Sequence, residues 1–193
     1  MIAALPDHAL VLETERLRLR PFSMADTDLA VDLLTDPKVM HYVDDIMTAE
    51  EARSMMPLIT RRGAGGRIGY WTAELKSTGE KIGDGELTPI PMGERTKTDW
   101  SQVVPNAYPT DPVEVGYLLK PAFWGQGFAS ELCARLLRFA FEQTALDRVV
   151  ACTDPDNRAS QNVLRKSGLR HIGTRRAYAE DVPFFEITRV EWT

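Results

Sequence analysis

The sequence is poor in the residues that build metal, redox and membrane proteins. Its 193 residues include only two cysteines, Cys133 and Cys152, and three histidines, His8, His41 and His171. None of these is spaced as zinc ligands are, so we expect no metal site and two reduced, buried thiols. No apolar run approaches the roughly 20 residues that cross a bilayer. The segment 1–10 lacks the basic start of a signal peptide, which predicts a cytoplasmic protein with no membrane partner.

A surplus of basic residues is also missing. The chain has 23 Lys and Arg against 28 Asp and Glu, for a net charge of −5. This balance argues against nucleic acid as a partner. An apolar share of 44% and a charged share of 26% are ordinary for a globular protein. Because no repeat, low-complexity tract or linker divides the chain, we expect a single domain over residues 1–193.

Strand and helix patterns alternate along the chain, which predicts a mixed α/β domain. Strands are predicted at 16–20, 68–75, 82–88, 113–119, 148–153, 172–178 and 184–192. A helix is predicted from Ser23 to about residue 34, and a second, short helix after the Thr48 and Glu51 capping pair. A third is predicted over 130–143, and a fourth is capped by Asp156 or Asn157 and ends at Gly168. The stretch 91–112 contains four prolines and no clear period, so it is predicted to be a long loop, either a lid or a mobile insertion.

Two glycines stand just before a predicted helix, in Trp124-Gly125-Gln126-Gly127-Phe128-Ala129. Glycine lets a backbone approach an anion closely, and the first turn of a helix offers unpaired N–H groups and the positive end of its dipole. The pattern therefore favours a phosphate site, although a plain strand-to-helix turn would also use glycine for its shape. It lacks the lysine of a Walker loop and the third glycine of a dinucleotide fingerprint.

Three segments resemble the GNAT superfamily of N-acetyltransferases, in particular the branch of ribosomal-protein N-terminal (RimJ/RimL-like) acetyltransferases. They read ETERLRLRP at 13–21, VEVGYLLKPAFWGQGFASE at 113–131 and DNRASQNVLRKSGL at 156–169. The resemblance spans residues 13–192. It implies the GNAT fold, an α/β structure of the α+β type, in which helices flank a mixed, mostly antiparallel central sheet. It also implies a V-shaped split between two parallel central strands, and acetyl-CoA as cosubstrate without a metal.

The same resemblance assigns roles to single residues. Main-chain amides of the glycine loop and the following helix would hold the pyrophosphate of coenzyme A. Strand residues before the loop and the asparagine of the later motif would contact the pantetheine arm. The candidate cofactor-binding residues are Tyr117, Leu118, Lys120, Gly125, Gln126, Gly127, Phe128, Ala129, Ser130 and Asn157.

Acetyl transfer to an amine also needs a base, because a protonated amine is not a nucleophile. Glu114, on the strand just before the predicted thioester position, is the candidate catalytic base, and Glu86 is the alternative. A structural ion pair or a solvated carboxylate would also fit Glu114. Many family members protonate the leaving thiolate with a tyrosine, but the matching residue is Leu164. Ser160 matches a serine proposed for this role in the branch, and Tyr178 is a further candidate donor.

These residues predict an acetyl-CoA-dependent N-acetyltransferase that acts on a primary amine by direct attack in a ternary complex. The acceptor is predicted to be a protein N-terminus or a small amine. Asp181 and Trp100 are candidates for its pocket, with a turn and a packing role as their alternatives. The missing tyrosine keeps a second hypothesis open, a noncatalytic acyl-CoA-binding or sensing module. Family members often form homodimers, and the apolar faces of the last strands would allow one here.

Overall fold

The computed structural model describes residues 2–192, which fold around one eight-stranded sheet. The strands are β1 (Leu12–Glu13), β2 (Leu17–Pro21), β3 (Gly69–Leu75), β4 (Lys81–Pro89), β5 (Val113–Leu119), β6 (Arg148–Cys152), β7 (Arg170–Ala177) and β8 (Glu180–Thr188). Their order across the sheet is β1-β2-β3-β4-β5-β6-β8-β7. Among these strands every neighbouring pair is antiparallel except β5 and β6. The predicted mixed, mostly antiparallel sheet is thereby confirmed.

The two parallel strands separate soon after they meet. Their ladder contains one register pair, Glu114 with Val150, although β5 continues to Leu119 and β6 to Cys152. Beyond this pair β5 and β6 are not paired by main-chain hydrogen bonds. The predicted V-shaped gap therefore opens at the carboxyl ends of β5 and β6.

Helices cover both faces of the sheet. They are α1 (Thr27–Leu34), α2 (Pro37–Met40), α3 (Ala49–Ile59), α4 (Phe128–Gln143), α5 (Arg158–Lys166) and α6 (Arg189–Trp192). On one face α4 packs so closely that a Cβ atom at Gly85 would lie 2.4 Å from Leu132 Cδ2. On the other face, α1 and α3 bury Leu29, Leu33 and Met56. Within residues 2–192 the helices are too short or too polar to span a bilayer.

Most predicted elements are present, with two informative differences. Helix α4 begins at Phe128, two residues before the predicted start, because Gly127 is its N-cap. The last strand was predicted over 184–192, and this boundary is wrong at both ends. Strand β8 begins at Glu180 and ends at Thr188, where the Glu191 carboxylate accepts hydrogen bonds from the Thr188 amide (3.0 Å) and hydroxyl (2.8 Å). These bonds cap the short helix α6.

The long segment 91–112 is held by hydrogen bonds within itself and by bonds to the rest of the domain. Arg95 forms two hydrogen bonds with Asp111, of 2.5 and 2.7 Å. The Gln102 side chain bonds Asp111 and the amide of Thr110. The carbonyl of Val104 accepts from the Ala64 amide at 2.8 Å. These contacts favour an ordered segment over a mobile insertion.

Candidate functional site

The glycine loop ends in an uncapped helix start beside the gap. Gly125 and Gly127 have φ angles of +72° and +85°, a region that favours glycine. Gly127 is the N-cap of α4 and has no side chain to accept from the amides of the first turn. A Cβ atom added at Gly125 would meet no heavy atom within 4 Å, so the loop faces open space. The predicted anion site therefore has both free donors and room for a ligand.

Arg16, just before β2, holds this loop in place. Its guanidinium donates to the carbonyl of Gln126 at 2.9 Å and to the Glu131 carboxylate at 2.6 and 2.7 Å. It also lies 4.2 Å from the ring centre of Phe128. The contact joins the first motif to the glycine loop and brings a cation next to the anion site. Sequence reasoning did not identify Arg16 as a site residue, because the residue is more than 100 positions from the loop.

The main chain of β5 offers groups to the gap at alternate residues. The amide of Lys120 donates to the Ile82 carbonyl at 2.9 Å, and its Nζ pairs with Asp32 at 2.9 Å. Because antiparallel pairing alternates, Leu118 also directs its main-chain groups to β4, whereas Tyr117 directs its own toward the gap. Of the predicted strand contacts to pantetheine, Tyr117 thus has the main chain that is free to make one.

Two hydroxyl groups meet where α5 begins. Asn157 is the N-cap of α5, and its Oδ1 accepts from the Ser160 amide at 3.0 Å. The phenol of Tyr117 lies 3.1 Å from the Ser160 hydroxyl and donates to its carbonyl at 3.3 Å. Burial raises the pKa of Tyr117, which keeps its phenol protonated. Leu164 is one turn further on, is 1% exposed and belongs to the core.

Two carboxyl groups lie on the other face of β5. Glu114 is 6% exposed, and its Oε1 accepts a hydrogen bond from the Tyr178 hydroxyl. Glu86 lies opposite Gly116 on the neighbouring strand. A Cβ atom at Gly116 would be 2.4 Å from Glu86 Oε1, so glycine leaves the space that this carboxyl group occupies. Glu86 also accepts from the Thr88 hydroxyl at 2.9 Å.

These carboxyl groups have no cationic partner. The ion pairs found within residues 2–192 include neither Glu114 nor Glu86. Burial and the nearby Glu86 raise the pKa of Glu114 to about 8, against the lowering effect of the Tyr178 hydrogen bond. Burial also raises the pKa of Glu86. A carboxylate in this setting can accept a proton near neutral pH, as a general base must.

The two candidates for the acceptor pocket differ in position. Trp100 stacks on Tyr70, with ring centres 6.1 Å apart, and burial together with the nearby Glu86 raises the pKa of Tyr70. Trp100 is thus one aromatic ring away from the carboxyl pair. Asp181 is mostly exposed and lies 3.7 Å from Arg176. Among residues 2–192 no group of three or more His, Cys, Asp or Glu side chains could hold a metal ion.

Comparison with known proteins agrees with this geometry. The model of the family described as "Acetyltransferase (GNAT) domain" matches residues 16–170. The FsC-acetyl coenzyme A-N(2)-transacetylase of Aspergillus fumigatus is 31% identical over 196 residues, which cover 94% of this chain and 77% of that protein.

Two solved structures with bound coenzyme A share the fold. One is the aminoglycoside acetyltransferase AAC(6')-Ib, with a TM-score of 0.71 at 15% identity over 91% of this chain and 96% of that chain. The other is RimL, the ribosomal L7/L12 alpha-N-protein acetyltransferase, with a TM-score of 0.70 at 17% identity over 92% and 97%. At these identities the likeness concerns the fold.

Proposed function

This chain belongs to the GNAT family of acetyltransferases, and we propose that it moves the acetyl group of acetyl-CoA to a primary amine by direct attack in a ternary complex. The observation that carries the proposal is the placement of two groups at the β5–β6 split. The uncapped start of α4 lies on one side of β5, and the buried carboxyl group of Glu114 lies on the other.

The glycine loop has the features that a pyrophosphate requires. The amides of Gln126, Gly127, Phe128, Ala129 and Ser130 would donate to the phosphate oxygens, with Arg16 nearby as a cation. Tyr117 would pair its main chain with the pantetheine arm. The side-chain amide nitrogen of Asn157, which makes no hydrogen bond within residues 2–192, would donate to the same arm. These contacts would place the thioester in the gap, next to Gly116.

Proton transfer would use both faces of β5. Glu114 takes a proton from the acceptor ammonium, directly or through one water. The amine nitrogen then bonds to the acetyl carbon, and the bond from that carbon to sulfur breaks. Ser160 lies on the thiol side, where its hydroxyl would give a proton to the leaving thiolate, supported by the phenol of Tyr117 at 3.1 Å. Main-chain amides of β5 that face the gap would stabilise the oxyanion.

The acceptor is the open part of this proposal. The relatives act on different amines by their names: a ribosomal protein for RimL, an aminoglycoside for AAC(6')-Ib and FsC for the Aspergillus enzyme. We propose a protein N-terminus or a small amine for this chain. Because one scaffold serves many acceptors, a panel of both kinds is needed to choose between them.

The decisive experiment measures acetyl-CoA consumption against peptides and small amines with Glu114→Gln and a matched Glu142→Gln control. Glu142 is an exposed helix residue paired with Arg138, away from the gap. Glu114→Gln is expected to lower kcat about 100-fold or more, with the Kd for CoA within about twofold, since a general base typically contributes this much. Glu142→Gln should behave as the parent enzyme.

Two results would overturn parts of the proposal. Unchanged turnover in Glu114→Gln would remove Glu114 as the base. Tight acetyl-CoA binding without turnover of any acceptor would instead favour the noncatalytic binding module. A catalytic Glu114 also predicts that kcat/KM rises with pH until about 8, where the carboxyl group becomes ionised.

A further inference from the structure

Tyr178 occupies a strained turn whose geometry brings its hydroxyl to Glu114. It forms the two-residue turn between β7 and β8 with Ala179, and the two residues have φ angles of +54° and +58°. Such turns usually contain Asn-Gly or Asp-Gly, because side chains rarely adopt positive φ at both positions. A tyrosine and an alanine here are therefore held against their backbone preference, which is a common property of functional positions.

The turn is fixed by the segment that follows β4. The Tyr178 amide donates to the Pro91 carbonyl at 2.9 Å, and the Ala179 amide donates to the Gly93 carbonyl at 3.2 Å. One residue before the turn, Met92 forms a β-bridge with Ala177. The start of the 91–112 segment thus sets the position from which the Tyr178 side chain reaches β5.

The Tyr178 ring packs against the sheet, and its hydroxyl reaches the carboxyl group of Glu114. Tyr178 packs against the buried cluster that includes Ile90, Val150 and Phe184. Its hydroxyl donates to Oε1 of Glu114. Within residues 2–192 no hydrogen bond involves Oε2, so the Tyr178 contact distinguishes the two oxygens.

We propose that Tyr178 is a positioning residue for acetyl transfer, whose hydroxyl holds Oε1 of Glu114 and leaves Oε2 as the oxygen that receives the proton of the amine. This inference rests on the proposed role of Glu114 as the base. It explains why a buried tyrosine occupies a turn that its backbone disfavours, which packing alone does not require. It also assigns a function to segment 91–94, because that segment fixes the Tyr178–Ala179 turn.

The hydrogen bond has a definite effect on the ionisation of Glu114. The titratable groups that face Glu114 are Glu86 on β4, Tyr70 on β3, Cys152 on β6 and Tyr178 at the β7–β8 turn, and Glu180 beside that turn acts on Cys152. Burial and Glu86 raise the pKa of Glu114, and the bond from Tyr178 lowers it. Tyr178→Phe removes the lowering effect and keeps the other groups, so the pKa of Glu114 must rise.

The test compares Tyr178→Phe with a matched Tyr108→Phe control. The Tyr108 hydroxyl accepts from the Ala145 amide at 3.1 Å, in another part of the domain. Tyr178→Phe is expected to move the acid limb of the kcat/KM profile up by about one pH unit, the shift expected when a hydrogen bond to a charged group is lost. At pH 7 its kcat/KM should fall about tenfold and recover on the alkaline plateau. Tyr108→Phe should keep the parent profile.

A second readout does not depend on turnover. Titration of the Glu114 carboxyl carbon by ¹³C NMR should show the same upward shift in Tyr178→Phe. An unshifted titration in a folded variant would overturn the inference, and so would a uniform loss of activity at every pH.

In the Glu114→Gln background, Tyr178→Phe should cause no further loss of activity, and an added loss would show that Tyr178 acts elsewhere. If Glu114→Gln alone kept full activity, the proposed base would fail, whereas the NMR titration would still show whether Tyr178 controls Glu114.

Discussion

Two glycines with almost the same positive φ angle allow the anion site to be tested against a matched control. Gly125 in the loop has φ +72°, and Gly79 in the β3–β4 turn has φ +74°. An added Cβ would meet no heavy atom within 4 Å at either position. Alanine should therefore cost about 1 kcal/mol of folding free energy at both sites through the left-handed backbone alone. The two variants should lose similar stability, with a Tm lower by about 2–4 °C.

Their effects on coenzyme A binding should differ. At Gly125 the added methyl group enters the open space in front of the α4 start, where the pyrophosphate is proposed to lie. It prevents the close approach that a phosphate needs, and at least one charge-assisted hydrogen bond is lost. Such a bond contributes about 1.5–3 kcal/mol, which corresponds to about a 10- to 150-fold increase in Kd. Gly79→Ala should leave the Kd within about twofold.

Isothermal titration calorimetry with two ligands makes the test specific. Coenzyme A carries the pyrophosphate and pantetheine does not, so Gly125→Ala should weaken the first and leave the second unchanged. Thermal unfolding of both variants checks that they have lost the same stability. If Gly125→Ala bound coenzyme A as tightly as Gly79→Ala did, the loop would be a plain strand-to-helix turn and the anion site would lie elsewhere.

Three further predictions concern proton transfer and stability. Ser160→Ala should lower kcat about tenfold or more in steady-state assays, as loss of a proton donor does, and an unaltered kcat would assign the thiolate proton to another source. Gly116→Ala should displace the Glu86 carboxyl group, which lies 2.4 Å from the added Cβ, and lower kcat while the protein stays folded by circular dichroism; an unchanged kcat would separate Glu86 from catalysis. Asp26 is fully buried and pairs with Arg20 at 2.7 Å, so Asp26→Asn should lower the free energy of unfolding by about 3–5 kcal/mol in denaturant titrations. Burial alone would raise the pKa of Asp26, but hydrogen bonds, led by the one from Arg20, bring it far below its usual range. The stabilisation is therefore complete above about pH 4 and is lost as pH falls through the native pKa. If Asp26→Asn lowered the free energy of unfolding by less than about 1 kcal/mol, the assigned ion pair would be contradicted.

Local chemistry explains which elements the sequence could predict. The Thr48 and Glu51 side chains form the predicted capping box, and α3 begins where this box requires. The sequence predicts the start of α4 two residues too late, because glycine, unlike serine or threonine, gives no side-chain signal for an N-cap. The start of β8 was missed for a related reason. Tyr178 and Ala179 are not residues that mark a tight turn, so the strand on its far side was not expected to begin at Glu180.

The site follows the same division between local and distant contacts. The glycine loop could be proposed from a few adjacent residues, since its chemistry depends on backbone shape. The bond from Tyr178 to Glu114 joins positions 64 residues apart, and that from Arg16 to Gln126 joins positions 110 apart. Such pairs depend on strand order and register across the whole sheet. Neither the strand order nor the register can be derived directly from a single sequence.

The two faces of β5 together favour direct transfer over an acetylated enzyme. Glu114 lies on the face with Tyr178, whereas Tyr117, an odd number of residues away, turns its phenol to the opposite face and Ser160. A base and a proton donor on opposite faces suit an amine that arrives from one side while the thiol leaves from the other, through the split between β5 and β6. A covalent route would need a nucleophile in the gap, and Cys152 is the free thiol near Glu114 among residues 2–192. Burial, with repulsion from Glu114, raises the pKa of Cys152 and holds it as the unreactive thiol.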